Sequence, residues 1–337
     1  MTIPKNQINN KTRILKQNWI LFVLCFLKFG IFSGAFSQQM PYYTQFKPNN
    51  IFLNPAVTGT KRMLDARINF RKQWAGFDDS PVTKGFAVNS RLTRGMGLGI
   101  NYYNDKTGPT KRSDLSFAYS YHAKFDDVEL SAGLAYEMLR YSLDGSKLHP
   151  HTPYDNLLDL TAMQKKKVND ASAGLLFYND RFHLGISLLN LLEPSVNFAE
   201  KTDTLHKTKI HMVPHVYGTV GYNWSGQPDW IWENSIQVLY ASANPMTVDY
   251  NLRLHYKQKL LAGISVRLKD AIAFHIGATF MEEFHVSYSY DLIVSSMRYG
   301  QSGSHEVMLA WSTNFGNEKK NKYDNSRFKR QKYGFMF

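Results

Sequence analysis

The chain has 337 residues, with 40 Lys and Arg against 27 Asp and Glu, a formal charge of +13 and a pI near 9.5. Its single cysteine, Cys25, excludes a disulfide or cysteine–metal framework. The basic excess sits at the two ends of the chain, which argues against a nucleic-acid-binding face.

Residues 1–37 read as a secretory signal. Lys5, Lys11, Arg13 and Lys16 form a basic start without an acid, an apolar run from Trp19 to Phe36 comes next, and Ala35-Phe36-Ser37 offers a cleavage site before Gln38. The rival is an uncleaved anchor, since the run approaches the roughly 17-residue minimum for spanning, but Lys28 interrupts it. Cys25 is a poor lipoprotein cysteine, because Phe22-Val23-Leu24 precedes it. Five basic residues and no acids leave with the signal, lowering the formal charge to +8; the tail 316–337, with seven basic and two acidic residues, holds +5 of that. No Ser/Gly-rich linker divides the rest, so one large domain is expected.

The stretch Gln38–Gly59, QQMPYYTQFKPNNIFLNPAVTG, matches neither the signal before it nor the alternating segments after it. Pro41, Pro48 and Pro55 discourage ladder pairing, while Tyr42, Tyr43, Phe46, Ile51, Phe52 and Leu53 need burial. It either seals the mouth of a barrel made by those segments, partly inside its lumen, or docks on a partner.

From Leu64 the chain alternates with a period of two. Leu64, Ala66, Ile68 and Phe70 share one face; Asp65, Arg67, Asn69 and Arg71 share the other. The pattern repeats around Phe86–Arg91, Met96–Tyr102, Leu115–His122, Val128–Glu137, Ala171–Phe177, Phe182–Leu188, Val216–Trp224, Trp230–Tyr240, Val248–Tyr256, Leu260–Leu268, Ile272–Phe280, Phe284–Tyr290 and Val307–Phe315. About 14 strands result, without a competing helical period. Short connections near Thr93-Arg94, Asp126-Asp127, Asn179-Asp180, Ser225–Asp229, Gln258-Lys259 and Glu282-Glu283 alternate with longer ones. Those are Ala75–Val82, Asn104–Arg112, Ser142–Lys167, Leu191–Ile210 and Val294–Gly303; Ala241–Pro245 is intermediate and Lys269-Asp270 short.

Short turns on one rim and long loops on the other mark an all-β transmembrane outer-membrane β-barrel of antiparallel strands, its short side in the periplasm. A soluble sandwich would not collect Phe125, Trp224, Trp230, Trp232, Tyr256, Phe280, Phe284 and Phe315 at one end of its strands; at a membrane interface they form a girdle. An even strand number puts both termini in the periplasm. The expected divisions are a signal (1–37), a periplasmic lead-in or plug (38–60), the barrel (61–315) and a basic periplasmic tail (316–337).

The polar face carries Arg67, Arg71, Arg91, Glu129, Glu137, Glu233, Asp249, Arg253, Arg267, Asp291 and Glu306, mixed charges that can pair across a lumen or form a docking surface. No catalytic, cofactor or metal residue stands out. His149-Pro150-His151 is the one tight histidine pair, and no helix supports it. His285, Ser287 and Asp291 share a polar strand face without a nucleophile motif, and Gly95–Gly99 opens no helix. Those glycines instead make room for something bulky in the lumen.

Pro41-Tyr42-Tyr43-Thr44-Gln45-Phe46, Asn54-Pro55-Ala56 with Gly59, Pro81 with Thr83, the Gly-x-Gly third strand and Tyr119-Ser120-Tyr121 together resemble the PorP/SprF family of Bacteroidota outer-membrane proteins, across nearly the whole mature chain. The resemblance implies a non-enzymatic 14-stranded barrel of type IX secretion and gliding, without cofactors. It also implies as partners the outer-membrane lipid, a secreted adhesin or its C-terminal domain, and periplasmic machinery reached through the N-terminal segment and the tail. The candidate partner-binding residues are Tyr42, Tyr43, Phe46, Asn54, Pro55, Gly59, Arg67, Arg91 and Arg253. The alternative function is a channel for small molecules.

Overall fold

The computed structural model describes residues 40–61, 63–92, 95–148, 163–198, 209–227, 229–242 and 244–313. The barrel strands are β1 (Leu64–Lys72), β2 (Val82–Arg91), β3 (Met96–Thr107), β4 (Thr110–Phe125), β5 (Val128–Asp144), β6 (Met163–Tyr178) and β7 (Phe182–Leu189). Two short strands, β8 (Ser195–Asn197) and β9 (Lys209–His211), pair with each other. The wall then continues as β10 (His215–Gln227), β11 (Trp230–Ala241), β12 (Asn244–Tyr256), β13 (Leu260–Arg267), β14 (Ala271–Phe280), β15 (Phe284–Ile293) and β16 (Ser304–Thr313).

The described residues form a closed antiparallel barrel of fourteen strands, with β7 beside β10 and β1 beside β16. Closure runs in register from Leu64 opposite Thr313 to Lys72 opposite His305. Every strand edge is thereby paired, the one way a sheet can sit in hydrocarbon. Leu64 and Thr313 lie at the same rim as the short turns.

The alternation resolves as apolar outward and polar inward. Ile68 and Phe70 are 52% and 42% exposed, whereas Arg67, Asn69 and Arg71 between and beside them are buried. An outward belt of Leu98, Ile100, Phe117, Leu134, Leu175, Ile186, Ile264 and Phe274 continues around the wall, the surface a bilayer requires. Phe125, Trp224, Trp232, Phe280 and Phe284 are exposed at the short-turn rim, where Trp230 packs on Tyr256 at 4.5 Å and Phe284 on Trp311 at 6.4 Å. Two of the turns there, Lys257-Gln258 and Met281-Glu282, have both residues at φ between +49° and +60°. That mirror-image conformation matches the right-handed twist of the flanking strands.

Three boundaries differ from expectation. Asn104–Arg112 is no loop: Lys106 pairs with Lys111 and Thr107 with Thr110, leaving only Gly108-Pro109 to turn. β5 and β6 stay paired to Asp144 opposite Met163, so the Ser142–Lys167 connection shrinks to 145–162. β11 and β12 are separated by two residues, 242–243. The cause is common to all three: beyond the apolar belt both strand faces are wet, so the period-two signal fades while the ladder continues. The Leu191–Ile210 connection contains β8 and part of β9, whose neighbourhood packs Val196, Phe198 and Met212 on Leu139 and Tyr141 of β5. The signal, the tail, Phe315, the His149–His151 pair and the Thr93-Arg94 turn lie outside the described residues.

Candidate functional site

The segment 40–60 lies inside the barrel and fills its lumen as a plug. It contains α1 (Phe46–Asn49) and two 3-10 turns, Asn50–Phe52 and Pro55–Val57. Its prolines bar it from the sheet, and Asn54-Pro55-Ala56 makes a capped turn instead. Asn54 accepts Ala56 N at 2.9 Å and Pro55 occupies the first helical position, where its missing N–H is no loss.

The first third of the plug is tied to the wall by charge. Arg71 bridges Asp291 (2.8 Å) and Glu306 (3.2 Å). Thr44 enters this cluster, its N–H donating to Glu306 at 2.7 Å and its hydroxyl to Asp291 at 2.7 Å, while Arg71 donates to that hydroxyl at 2.6 Å. Asn49 and Asn69 add donors to the same Glu306 carboxylate at 3.0 and 2.8 Å. Ser287 donates to Gln45 at 2.5 Å. Arg267 lies 3.9 Å above the Tyr42 ring and pairs with Asp249 at 3.2 Å. Buried charges persist only when paired and hydrogen-bonded, and this cluster meets both conditions.

Further along, Lys47 is wholly buried and ion-paired to Glu233 at 3.1 Å. Glu233 also meets His255 at 3.0 Å and Arg253 at 3.9 Å. Tyr217 donates to Asn50, and Tyr43 stacks on Phe52 at 5.4 Å.

The last third has a different chemistry. A buried irregular backbone leaves carbonyls that must find donors; the plug's own turns satisfy those of Asn54, Pro55 and Val57, and the wall supplies a neutral or cationic donor for five more. Asn101 donates to Ile51 O (3.2 Å), Ser187 to Leu53 O (2.5 Å), Ser131 to Ala56 O (2.7 Å), Ser120 and His122 to Thr58 O (2.5 and 2.8 Å), and Arg91 to Gly59 O (2.8 Å). Arg91 is itself set by Glu129 at 2.7 Å and Tyr178 at 2.6 Å. Glycines of the wall give the backbone room. A Cβ on Gly133 would stand 2.3 Å from Ala56 N, and one on Gly97 2.4 Å from Thr58 O. The Gly-x-Gly third strand is therefore the floor on which Thr58 and Gly59 rest.

Of the candidate partner-binding residues, Tyr42, Tyr43, Phe46, Asn54, Pro55 and Gly59 belong to the plug, Arg91 holds its Gly59 end, and Arg253 lies 3.9 Å from the Glu233 carboxylate that pairs with Lys47. Arg67 pairs with Asp65 of its own strand at 2.5 Å, the aspartate that also takes Lys61 at 2.6 Å. Tyr43, Phe46, Asn54 and Arg253 are at most 3% exposed, so in this conformation they face the barrel and not a partner. Sequence reasoning missed Thr44, Lys47, Ser120, Ser131, Ser187 and Gly133 as parts of the same arrangement. Serine and glycine at inward strand positions were the available signal. Among the described residues no group of three His, Cys, Asp or Glu side chains is placed to hold a metal ion.

Among solved structures, the fold is similar to a Pseudomonas aeruginosa FadL homologue (12% identity, 84% of this chain and 96% of that one, TM-score 0.47). It is also similar to the Pseudomonas putida toluene transporter TodX (10%, 84% and 96%, 0.49) and to Acinetobacter baumannii Omp33 (7%, 76% and 100%, 0.44). None of these likenesses bears on what this chain binds. No curated protein sequence matches it. The family of type IX secretion system membrane proteins PorP/SprF matches residues 35–311. A match of that extent, from before the plug to within the last strand, makes the chain a member of the PorP/SprF family, a type IX secretion barrel of the outer membrane.

Proposed function

We propose that the protein is a non-enzymatic anchor or export accessory of type IX secretion, retaining a client such as an adhesin at the cell surface by binding its C-terminal domain. The observation that carries this reading is the filled lumen. Met40–Thr60 occupies it with an ion pair from Lys47 to Glu233, hydrogen bonds from Thr44 to Glu306 and Asp291, and several of its carbonyls capped by the wall. A pore for diffusion needs a clear path, and in this conformation the chain itself stands in that path. Two of the three polar residues that a hydrolase would draw on are already engaged: Ser287 holds Gln45, and Asp291 holds Thr44 and Arg71.

In this reading the short-turn rim, where β1 begins and β16 ends, is periplasmic, and the plug runs from Thr44, beside Asp291 and Glu306 near the long-connection rim, down to Gly59 at Arg91. The 145–162, 190–214 and 294–303 connections then face outward and contact the client. The plug's Gly59 end and the basic tail face the secretion machinery. Co-purification from native membranes tests the reading: a client's C-terminal domain should be recovered with the barrel, and deletion of 146–161 should release it. Planar-bilayer recordings should be silent. Large open steps from the intact protein, with no co-purified client, would overturn the anchor in favour of a small-molecule channel.

A further inference from the structure

On the outer face of the wall, the ladder of β1 to β6 sorts side chains into rows, because directly opposite residues of neighbouring strands share a face. The row nearest the long-connection rim is Lys72, Val82, Lys106, Lys111, Ser142 and Lys165. The next row inward along the strands is Phe70, Lys84, Asn104, Ser113, Arg140 and Lys167. The third is Ile68, Phe86, Tyr102, Leu115, Met138 and Asn169, where the apolar belt begins.

The first two rows carry seven Lys and Arg, all exposed, and not one carboxylate. They cover about 24 Å across six strands and about 7 Å along them. Lys106 stands directly opposite Lys111, and Arg140 directly opposite Lys167. Like charges in that position destabilise a sheet. The nearest acids do little to offset them. Asp79 is 4.0 Å from Lys106 and is taken by Lys147 at 2.9 Å, and Asp144 accepts from Ser146 at 2.6 Å. Among the described residues, β7, β10, β11, β14, β15 and β16 hold no Lys or Arg, and those of β12 and β13, Arg253 and Arg267, are buried. The charge is therefore confined to one side of the barrel. It is not a general fringe of wet strand ends, for which Ser, Thr and Asn suffice.

Opposed cations at the edge of a lipid-facing belt call for anions between them. Barrel strands tilt by roughly 35–45°, so these rows run obliquely and spread their cations over depth. Lys84 lies beside Phe70 at the belt, while Lys111 and Lys165 sit on the strand extensions above it. A glycerophospholipid carries its phosphate at one depth, whereas the glycolipid of an outer leaflet carries phosphates on its lipid and on its core sugars. We propose that this face of the barrel binds the phosphates of outer-leaflet lipopolysaccharide, Lys106 with Lys111 closing on one and Arg140 with Lys167 on another. The site faces lipid and not the lumen, so it is independent of the anchoring role. It rests only on the short-turn rim being periplasmic.

Native mass spectrometry of the full-length barrel in a zwitterionic detergent tests it with three probes: rough lipopolysaccharide, the same lipid after dephosphorylation, and phosphatidylglycerol. Rough lipopolysaccharide should bind saturably and most tightly of the three. Arg140→Gln with Lys167→Gln should weaken it roughly 25-fold, about fivefold for each cation at an anionic surface. Lys257→Gln, at the short-turn rim, should change nothing. Without lipid the double variant should melt no lower than the parent, because an opposed pair of cations is gone. Rough lipopolysaccharide should then stabilise the parent more than the variant. Equal binding of the phosphorylated and dephosphorylated lipids, or equal binding by parent and double variant, would overturn the proposal. A preference for phosphatidylglycerol would overturn it as well; that result alone would indicate an inverted barrel, which separates the two failures.

Discussion

Gly133→Ala is the sharpest probe of the seated plug, because the added methyl would point at backbone and not at a side chain that can rotate away. An ideal Cβ there lies 2.3 Å from Ala56 N, 2.4 Å from Pro55 C and 2.6 Å from Ala56 Cα. Ordinary contact begins near 3.4 Å, so the turn at Pro55–Val57 must lift by about 1 Å. That shift stretches the Ser131–Ala56 hydrogen bond from 2.7 Å to the edge of bonding distance or past it. Overpacking of this size costs about 1–3 kcal/mol and the lost hydrogen bond about 1 kcal/mol more. The seated fraction relative to the displaced one should therefore fall roughly 30- to 1,000-fold. A cysteine at Val57, 3% exposed, reports it: the sequence's single native cysteine is Cys25, in the expected signal, so maleimide labelling at 57 is unambiguous. Labelling should accelerate strongly in Gly133→Ala, and bilayer recordings should show openings absent from the parent. Gly218→Ala is the control, since nothing lies within 4 Å of its Cβ. Equal labelling rates for Gly133→Ala and the parent would refute the claim that the plug rests on β5.

Two further expectations concern charge. Lys47→Met leaves Glu233 buried beside His255 and Arg253 without its nearest cation, and breaking such a pair costs about 3–5 kcal/mol. The double variant Lys47→Met with Glu233→Gln should recover much of that loss, read as the temperature at which the folded barrel band disappears on a gel. At the long-connection rim, Lys147 hydrogen-bonds Asp79 at 2.9 Å and holds its carboxyl below the usual range. A depressed carboxyl pKa means a contact that is present above the ordinary aspartate value and lost as pH falls through the folded one. Hydrogen exchange at Gly145–Lys147 should therefore rise below about pH 4 and with added salt, with the barrel strands unaffected.

How much of the fold was legible depends on where each signal comes from. Ile68 and Phe70 against Arg67, Asn69 and Arg71 could be read directly, because a wall with lipid on one side and polar groups on the other enforces a period of two. The extended ends of β3, β4, β5 and β6 could not: Lys106, Lys111 and Lys165–Lys167 are paired in ladders yet lie beyond the apolar belt, where no alternation is needed. The plug was legible only as a contradiction, apolar residues that need burial in a stretch with three prolines. Its seat depends on contacts separated by 27 to 262 residues, such as Arg71 with Thr44 and Thr44 with Glu306, and no local pattern records them. Lys47 is the clearest miss. A lysine among aromatic residues reads as solvent-facing, and its burial makes sense only once Glu233 is known to be opposite.

The two ends of the plug are built to different standards of permanence. From Asn54 onward it is held mainly by hydroxyls, an amide and an imidazole on a glycine floor, joined at Gly59 by the Arg91 cation, and its chain runs within a few residues into β1, so it cannot travel far. Before Asn50 it is held mainly by ion pairs and charge-assisted bonds at Arg71, Asp291, Glu306 and Glu233. Those bonds are strong only while water is excluded. Any event that wets the long-connection side of the lumen, where Arg71, Asp291 and Glu306 lie, weakens the first set far more than the second. Withdrawal should thus begin at Tyr42–Lys47 and stop at the Asn54-Pro55-Ala56 turn, uncovering Tyr42, Tyr43 and Phe46 together. The residues with the chemistry of a partner-binding face are those that the weaker half of the plug keeps out of reach. In that arrangement closing the barrel and hiding the face are one and the same set of contacts.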